Sequence, residues 1–507
     1  MALLRHKGVT TLLFLSATGT GAYLWIKKTQ PESDLLNPSA YSAIRFGRAA
    51  IAVGKIIADY KINLPAYTAD NYESVRSEIH WRTAERLKVL CYQNGGLFVK
   101  VGQHIGALDY VLPHEYVQTM KVFHEDAPYS PLSSLYTVIQ DDLGRHVSDV
   151  FEEFEDKPLG VASLAQVHKA RLKSDGSLVA VKVQHPLVKA HSDTDLRTIE
   201  LFVDIIHNIF PDVHFQWLVR EIKRNLPNEL NFFQEARNCH RFSCAYRHLG
   251  TIRAPDIHWD LTTSRVLTME YVEGGRLDDR QYMTQHGIKP ESIVTELDRL
   301  YRDMFFRRGW IHCDPHPGNV LVDATYKDPQ LILLDHGLYV DVNNQLRISY
   351  CRLWKALIDG DMPGVEQACR DMGVPDLHQI MAAVLTQRSW ETIANKKLNV
   401  PRTAEEEYLI TNRAMGMFSE ITQVLQNVPR ELIMVFKTND LLAHVESALG
   451  VERDESYYIS LAKECVSILG RYEADRATSW IHYYLIGIQT QWLLLKLRIY
   501  QFYRIIF

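Results

Sequence analysis

The 507 residues include only seven cysteines (Cys91, Cys239, Cys244, Cys313, Cys351, Cys369 and Cys465), with neither CxxC pairs nor regular spacing. That odd, scattered set excludes a disulfide framework and a cysteine-based zinc module. An excess of basic charge is also missing. Lys and Arg number 56 against 61 Asp and Glu, and the net charge of −5 supplies no overall field for nucleic acid. Hydrophobic residues at 46% and charged residues at 23% exclude a disordered chain and a polytopic membrane protein. Acidic residues are absent before Glu32, where Arg5, Lys7, Lys27 and Lys28 bracket the uncharged stretch Gly8–Ile26. Basic flanks without acid fit a mitochondrial address, and a secretory signal is the competing reading. The stretch is just long enough to cross a hydrocarbon layer, but its threonines and glycines make it weakly apolar.

What is present is a helical chain interrupted by short strands. Apolar periodicity predicts helices over Tyr41–Ile62 and, continuously, Asn71–Leu112. Pro158–Gln184 predicts two strands joined by a turn at Asp175-Gly176. His191–Phe210 and Phe215–His248 return to helix, and further strands are expected at Arg265–Val272, Asn319–Val322 and Leu331–Leu334. From Leu346 onward the pattern is almost wholly helical.

The sharpest chemical signal is His312-Cys-Asp-Pro-His-Pro-Gly-Asn319, followed by a strand ending in Asp335-His-Gly337. Phosphoryl transfer needs a carboxylate near the acceptor, and an amide and a second carboxylate to hold magnesium against phosphates. Asp314 and Asn319 have the spacing of H-x-D-x-x-x-x-N, and Asp335 that of D-x-G. A self-capping turn and a zinc site on His312, Cys313 and His316 are the alternatives, the latter without a fourth ligand nearby. Upstream, Lys182 interrupts the apolar Val179-Ala-Val-Lys-Val, where a buried ammonium must find an anion. Gly160-x-Ala162-x-x-Ala165-x-Val167 has the spacing of a phosphate-covering glycine loop with two glycines replaced by alanine, whose methyls obstruct backbone approach. Met269–Gly274 fits a hinge whose backbone at Glu270 and Val272 would meet adenine. Glu229 and Glu235 fall in Asn228–Asn238, read as one helix, and Glu235 is the expected partner of Lys182. Lys100 and Gln103 share a helix face beside an apolar stripe, with Gly102 permitting close contact.

Together these residues resemble the UbiB (AarF/ABC1) family of atypical protein-kinase-like proteins, over roughly Tyr92–Tyr339. Lys100-Val-Gly-Gln103 is similar to its KxGQ motif and Gly160–Val167 to its alanine-rich loop, while the family's ExD motif falls at Glu229-Leu-Asn231 with asparagine for aspartate. Lys437-Thr-Asn-Asp-Leu-Leu442 resembles a mitochondrial subgroup. The resemblance implies an α+β, bilobed protein-kinase-like fold with a helical N-terminal extension and a mainly helical C-terminal lobe. Its expected divisions are 1–30 (targeting or membrane segment), 31–150 (KxGQ extension), 151–275 (N-lobe) and 276–507 (C-lobe). ATP and Mg2+ are the implied cofactors, with Asp314 as base, Asn319 and Asp335 on metal, and Lys100, Gln103 and Glu229 as a lid over the peptide-docking face. A small or lipid acceptor, or mitochondrial membrane lipids, and a role in inner-membrane or coenzyme Q homeostasis are implied. A nucleotide-gated scaffold without turnover and a true protein kinase are the rivals. The apolar, aromatic run Trp480–Leu495, with Lys496, Arg498 and Arg504 beyond it, is expected either at a headgroup boundary or packed on the C-lobe.

Overall fold

The computed structural model describes residues 38–66, 68–108, 112–124, 127–325, 328–386, 428–451 and 455–506. The N-terminal stretch Gly8–Ile26 therefore lies outside the described residues. Within them the chain is α+β and divides into two compact units, one reaching residue 245 and regaining 254–272, the other taking 246–253 and most of the chain from 273 onward.

The first unit opens with α1 (Pro38–Asn63), α2 (Tyr72–Asn94) and α3 (Leu97–Gly106). The continuous helix expected over Asn71–Leu112 is broken, because Gly95 and Gly96 take φ values of 62° and 52° that disfavour any other residue. A helix α4 (Leu132–Leu143) then covers one face of an antiparallel sheet of β1 (Phe151–Phe154), β2 (Gly160–Val161), β3 (Ala165–Leu172), β4 (Leu178–Gln184) and β5 (Val266–Glu270). Leu135, Val138 and Ile139 of α4 pack on Val179, Val181 and Val183 of β4. The β3–β4 turn follows from its residues: Gly176 has φ 73°, and Asp175 Oδ1 accepts the Ser177 N–H at 3.0 Å. Helices α5 (Val188–Ile209), α6 (Gln216–Glu229) and α7 (Phe232–Tyr246) lie between β4 and β5 in sequence.

Arg45 of α1 is 5% exposed and Asp195 of α5 is 3% exposed. Arg45 Nε donates to Asp195 Oδ1 at 2.9 Å, a second guanidinium nitrogen meets Oδ2, and the third reaches the Asn94 carbonyl oxygen. One planar cation thus ties α1, α2 and α5 together.

In the second unit, β6 (Gly275–Arg276), β8 (Val320–Asp323) and β9 (Gln330–Leu333) form a sheet completed by Ile252–Arg253, while β7 (Trp310–His312) pairs with β10 (Tyr339–Asp341). Helix α8 (Pro290–Arg302) lies between β6 and β7 in sequence. Helices α9 (Asn344–Asp359), α10 (Arg430–Leu449), α11 (Glu455–Ala474) and α12 (Trp480–Ile506) come after them. All seven cysteines are free, and six are buried.

Arg45→Met should destabilise the protein by about 3–5 kcal/mol in urea denaturation, since Asp195 would be left buried and charged, and Arg45→Met/Asp195→Leu should recover most of the loss. A double variant no more stable than the single one would mean that packing, not charge, governs this contact.

Candidate functional site

Gly160, Val167, Lys182 and Leu267 lie in register across β2, β3, β4 and β5, so one row of the first sheet carries the loop glycine, the valine and the lysine. Lys182 Nζ donates to Glu235 Oε1 at 2.6 Å, with side-chain exposures of 11% and 5%. The ammonium also lies 5.3 Å from the centre of the Phe232 ring. Glu235 sits in the first turn of α7, where a carboxylate is favoured by the helix dipole. Ala165 corrects the loop reading. It is buried with Phe232, Ala236 and Leu267, so its methyl fills the seam between sheet and α7 and does not face a ligand. Ala162, like Gly160, is exposed, and its carbonyl oxygen accepts from His185 Nε2 at 3.1 Å. At the far edge of this sheet, Glu270 ends β5 and Tyr271 N–H donates to the Leu178 carbonyl at 3.2 Å, which leaves Val272 as the second residue past the strand.

The helix expected through Asn228–Asn238 is two helices. Glu229 closes α6, and Asn231 caps α7 by accepting the Phe233 N–H at 3.2 Å. Aspartate and asparagine cap equally well, so asparagine keeps the structural half of the ExD position. Separated by this break, the two acids meet different lysines: Lys100 Nζ lies 2.9 Å from Glu229 Oε2. Gln103 turns away from that pair and donates from Nε2 to the Phe123 carbonyl at 2.9 Å. Gly102 explains itself by contact, because a Cβ there would stand 2.6 Å from Phe123 Cδ2.

In the second unit, β7 delivers the loop carrying Asp314. Asn319 Nδ2 donates to the Asp314 carbonyl at 3.2 Å and lies 3.4 Å from its Oδ2, which turns the Asn319 side-chain oxygen to the other side. His312, fully buried, bridges the two acidic segments: Nε2–H donates to the Asp335 carbonyl at 3.0 Å and Nδ1 accepts from Tyr301 Oη at 2.8 Å. Burial pushes its pKa below the usual imidazole value, consistent with this neutral tautomer. His336 is held the same way, with Nε2 on the Leu333 carbonyl at 3.1 Å and Nδ1 on Tyr339 Oη at 2.8 Å. Asp335 Oδ1 accepts the Gly337 N–H at 2.8 Å, fixing its carboxylate at the end of β9. Cys313 is buried, and burial raises its thiol to about 12. No cluster of three or more His, Cys, Asp or Glu suited to a metal occurs among the described residues. One carboxylate and one amide oxygen, from Asp335 and Asn319, are a hard donor set suited to Mg2+, which takes its remaining ligands from phosphates and water.

One residue of the subgroup-like segment Lys437–Leu442 joins the site, a role the motif did not assign to it. Lys437 of α10 is 8% exposed, and its Nζ donates to Asp314 Oδ1 at 3.0 Å. Its signal was in the sequence: Leu432-Ile-Met-Val-Phe-Lys437 is an apolar run ending in an ammonium, the argument that singled out Lys182.

An ABC1 atypical kinase-like domain matches residues 122–369. The chain is 42% identical over 472 residues to AarF domain-containing protein kinase 1 of Gallus gallus, covering 92% of this chain and 90% of that one. It is 40% identical to AarF domain-containing kinase 1 of Drosophila melanogaster, covering 92% of each chain. The Arabidopsis thaliana putative ABC1 protein At2g40090 is 32% identical, over 93% of this chain and 92% of that one. The chain belongs to the AarF/ABC1 family of atypical kinase-like proteins. Within it, the resemblance to the proteins named AarF domain-containing kinase 1 runs through most of both chains.

The Lys437–Asp314 pair is asymmetric, with side-chain exposures of 10% and 34%. Removing the exposed partner should cost more than removing the buried one. Asp314→Ala is expected to lose about 2–3 kcal/mol in urea denaturation and Lys437→Met under about 1 kcal/mol, because only the first strands a buried charge. Equal losses would show that the pair contributes by packing alone.

Burial also lowers the pKa of His80 (to about 4), His168, His185 and His191 below the usual 6.5, as it does for His312. The unfolded chain therefore takes up these protons first. The contribution of these histidines should be fully present above pH 6.5 and be lost as pH drops toward about 4. A melting temperature that holds or rises on acidification through that window would contradict the neutral assignments.

Proposed function

We propose that this chain binds Mg-ATP and transfers or hydrolyses its terminal phosphoryl group, acting at a mitochondrial membrane on a small or lipid acceptor and supporting lipid or coenzyme Q homeostasis. The observation that carries the reading is the Lys182–Glu235 pair at 2.6 Å, a buried ammonium aimed by a helix carboxylate and set in the row that carries Gly160 and Val167. In this reading Lys182 and Glu235 order the phosphates, Asp314 orients and deprotonates the acceptor, and Asn319 and Asp335 hold the metal. Mg2+ would supply charge neutralisation of the phosphate oxygens. His312 acts through Asp335, holding its backbone in place.

Transfer to a peptide is the weaker reading. Helix α9 begins at Asn344, directly after β10, so no long segment follows Gly337 on which a peptide could lie. Action as a nucleotide-gated scaffold without turnover draws support from a different contact: Lys437 occupies one oxygen of Asp314, the expected base.

Three measurements on the purified chain separate these readings. Nucleotide binding should weaken at least about tenfold in Lys182→Met, and ATP hydrolysis should fall about 100-fold or more in Asp335→Asn and Asp314→Asn. Binding with no turnover sensitive to either aspartate variant would establish the scaffold. Absence of nucleotide binding by the unmutated chain would overturn both.

A further inference from the structure

Helix α12 carries an unusual surface. It is 27 residues long and contains no acidic residue. Over residues 480–502, Ile486 alone is buried, and Thr490, Leu493, Leu494, Leu497 and Gln501 are half-buried. That spacing of three and four residues is a single stripe, which packs on α11. The approach is close: a Cβ on Gly470 of α11 would overlap Thr490, and Lys463 of α11 bonds Gln501. The helix is thus anchored along one side.

The rest of residues 480–502 faces out. Trp480, Ile481, Tyr483, Tyr484, Leu485, Ile488, Trp492, Leu495, Ile499, Tyr500 and Phe502 are between 45% and 74% exposed. The first six residues, Trp480–Leu485, are exposed on every side, so the N-terminal end of the helix reaches past its support. Soluble monomers do not ordinarily present an apolar surface of this extent, and a continuous patch marks an interaction site. Among the described residues no helix is long and apolar enough to cross a membrane, so a spanning role for α12 is not available.

We propose that α12 is a membrane-docking helix, lying in the headgroup region of a bilayer that contains anionic phospholipid. Three features choose this occupant over a second copy of the chain. Aromatic rings with one polar edge suit the boundary between headgroups and acyl chains, and Trp480, Tyr483, Tyr484, Trp492 and Tyr500 supply five of them. The exposed charges are only basic, Lys496 and Arg498, with Lys496 Nζ 5.4 Å from the centre of the Trp492 ring. A symmetric pairing of two such helices would bring cations together with no acid on either to answer them, whereas lipid phosphates answer both. Finally, His482, Gln489 and Gln491 interrupt the apolar surface, as a helix lying in an interface tolerates and a dry helix–helix seam does not. The inference rests on the membrane half of the reading above and is independent of the phosphoryl-transfer residues.

The test uses the full chain with vesicles of phosphatidylcholine alone or mixed four to one with phosphatidylglycerol, read by flotation. Quenching of tryptophan emission by bilayers containing dibrominated acyl chains reports depth. Binding should be at least about tenfold stronger to the anionic vesicles and should fall with added salt. Trp480→Ser/Ile488→Ser/Trp492→Ser should abolish flotation while leaving the melting temperature and nucleotide affinity unchanged. Lys496→Glu/Arg498→Glu should reduce binding to the anionic vesicles only. Undiminished flotation of the serine variant would overturn the proposal. So would a concentration-dependent dimer that the serine variant alone dissolves, which would assign α12 to a second copy. Neither result bears on the nucleotide reading, which stands or falls on its own measurement.

Discussion

An ammonium withdrawn from water must have a carboxylate waiting for it, and among the described residues Lys182 meets Glu235, Lys100 meets Glu229, and Lys437 meets Asp314. Much of the local architecture follows from placing these pairs. The break between α6 and α7 puts two nearby acids on separate helices, so that one meets a strand lysine and the other a lysine of the N-terminal helices. The sheet row places Lys182 where α7 can reach it, and the seam of Ala165, Phe232, Ala236 and Leu267 keeps α7 at that distance. Such pairs add little net stability, because desolvation offsets the attraction. Their effect is to make one geometry much cheaper than its neighbours.

The same logic organises the second unit through neutral groups. Two buried histidines each give one proton to a backbone carbonyl and take one from a tyrosine, so Asp335 and the Asp314 loop are cross-braced without adding charge near the acids. A charged imidazole there would compete with a metal for the same carboxylates. Burial holds the His312 ring below its usual pKa and so neutral.

Features encoded by neighbours in the chain were legible in the sequence. The strands around Lys182, the Asp175-Gly176 turn, and the strands leading into the Asp314 and Asp335 loops depend on residues a few positions apart, and they lie within a few residues of where pattern and turn chemistry put them. Two helices were misread as continuous for a related reason. Apolar periodicity runs through Gly95-Gly96 and through Leu230-Asn231, and only backbone sign in the first case and a capping side chain in the second reveal the break. Ala165 was misassigned because a spacing says which residues share a loop, not which way a methyl turns. Lys437 was hardest: 123 positions separate it from Asp314, and no local pattern names a partner at that range. What the sequence did contain was the demand for one.

Gly102 has a consequence for motion. The Phe123 ring lies where its side chain would be, and Gln103 is fastened to the Phe123 carbonyl, so α3 and the Lys121–His124 turn behave as one solid piece. Lys100 rides on that piece. Its hold on Glu229 can lapse briefly by a rotamer change, on a scale of nanoseconds, but it can be carried off durably only if helix and turn travel together, on a scale of microseconds or longer. The close packing of ring on backbone thereby ties the Lys100–Glu229 contact to α3 and the turn together.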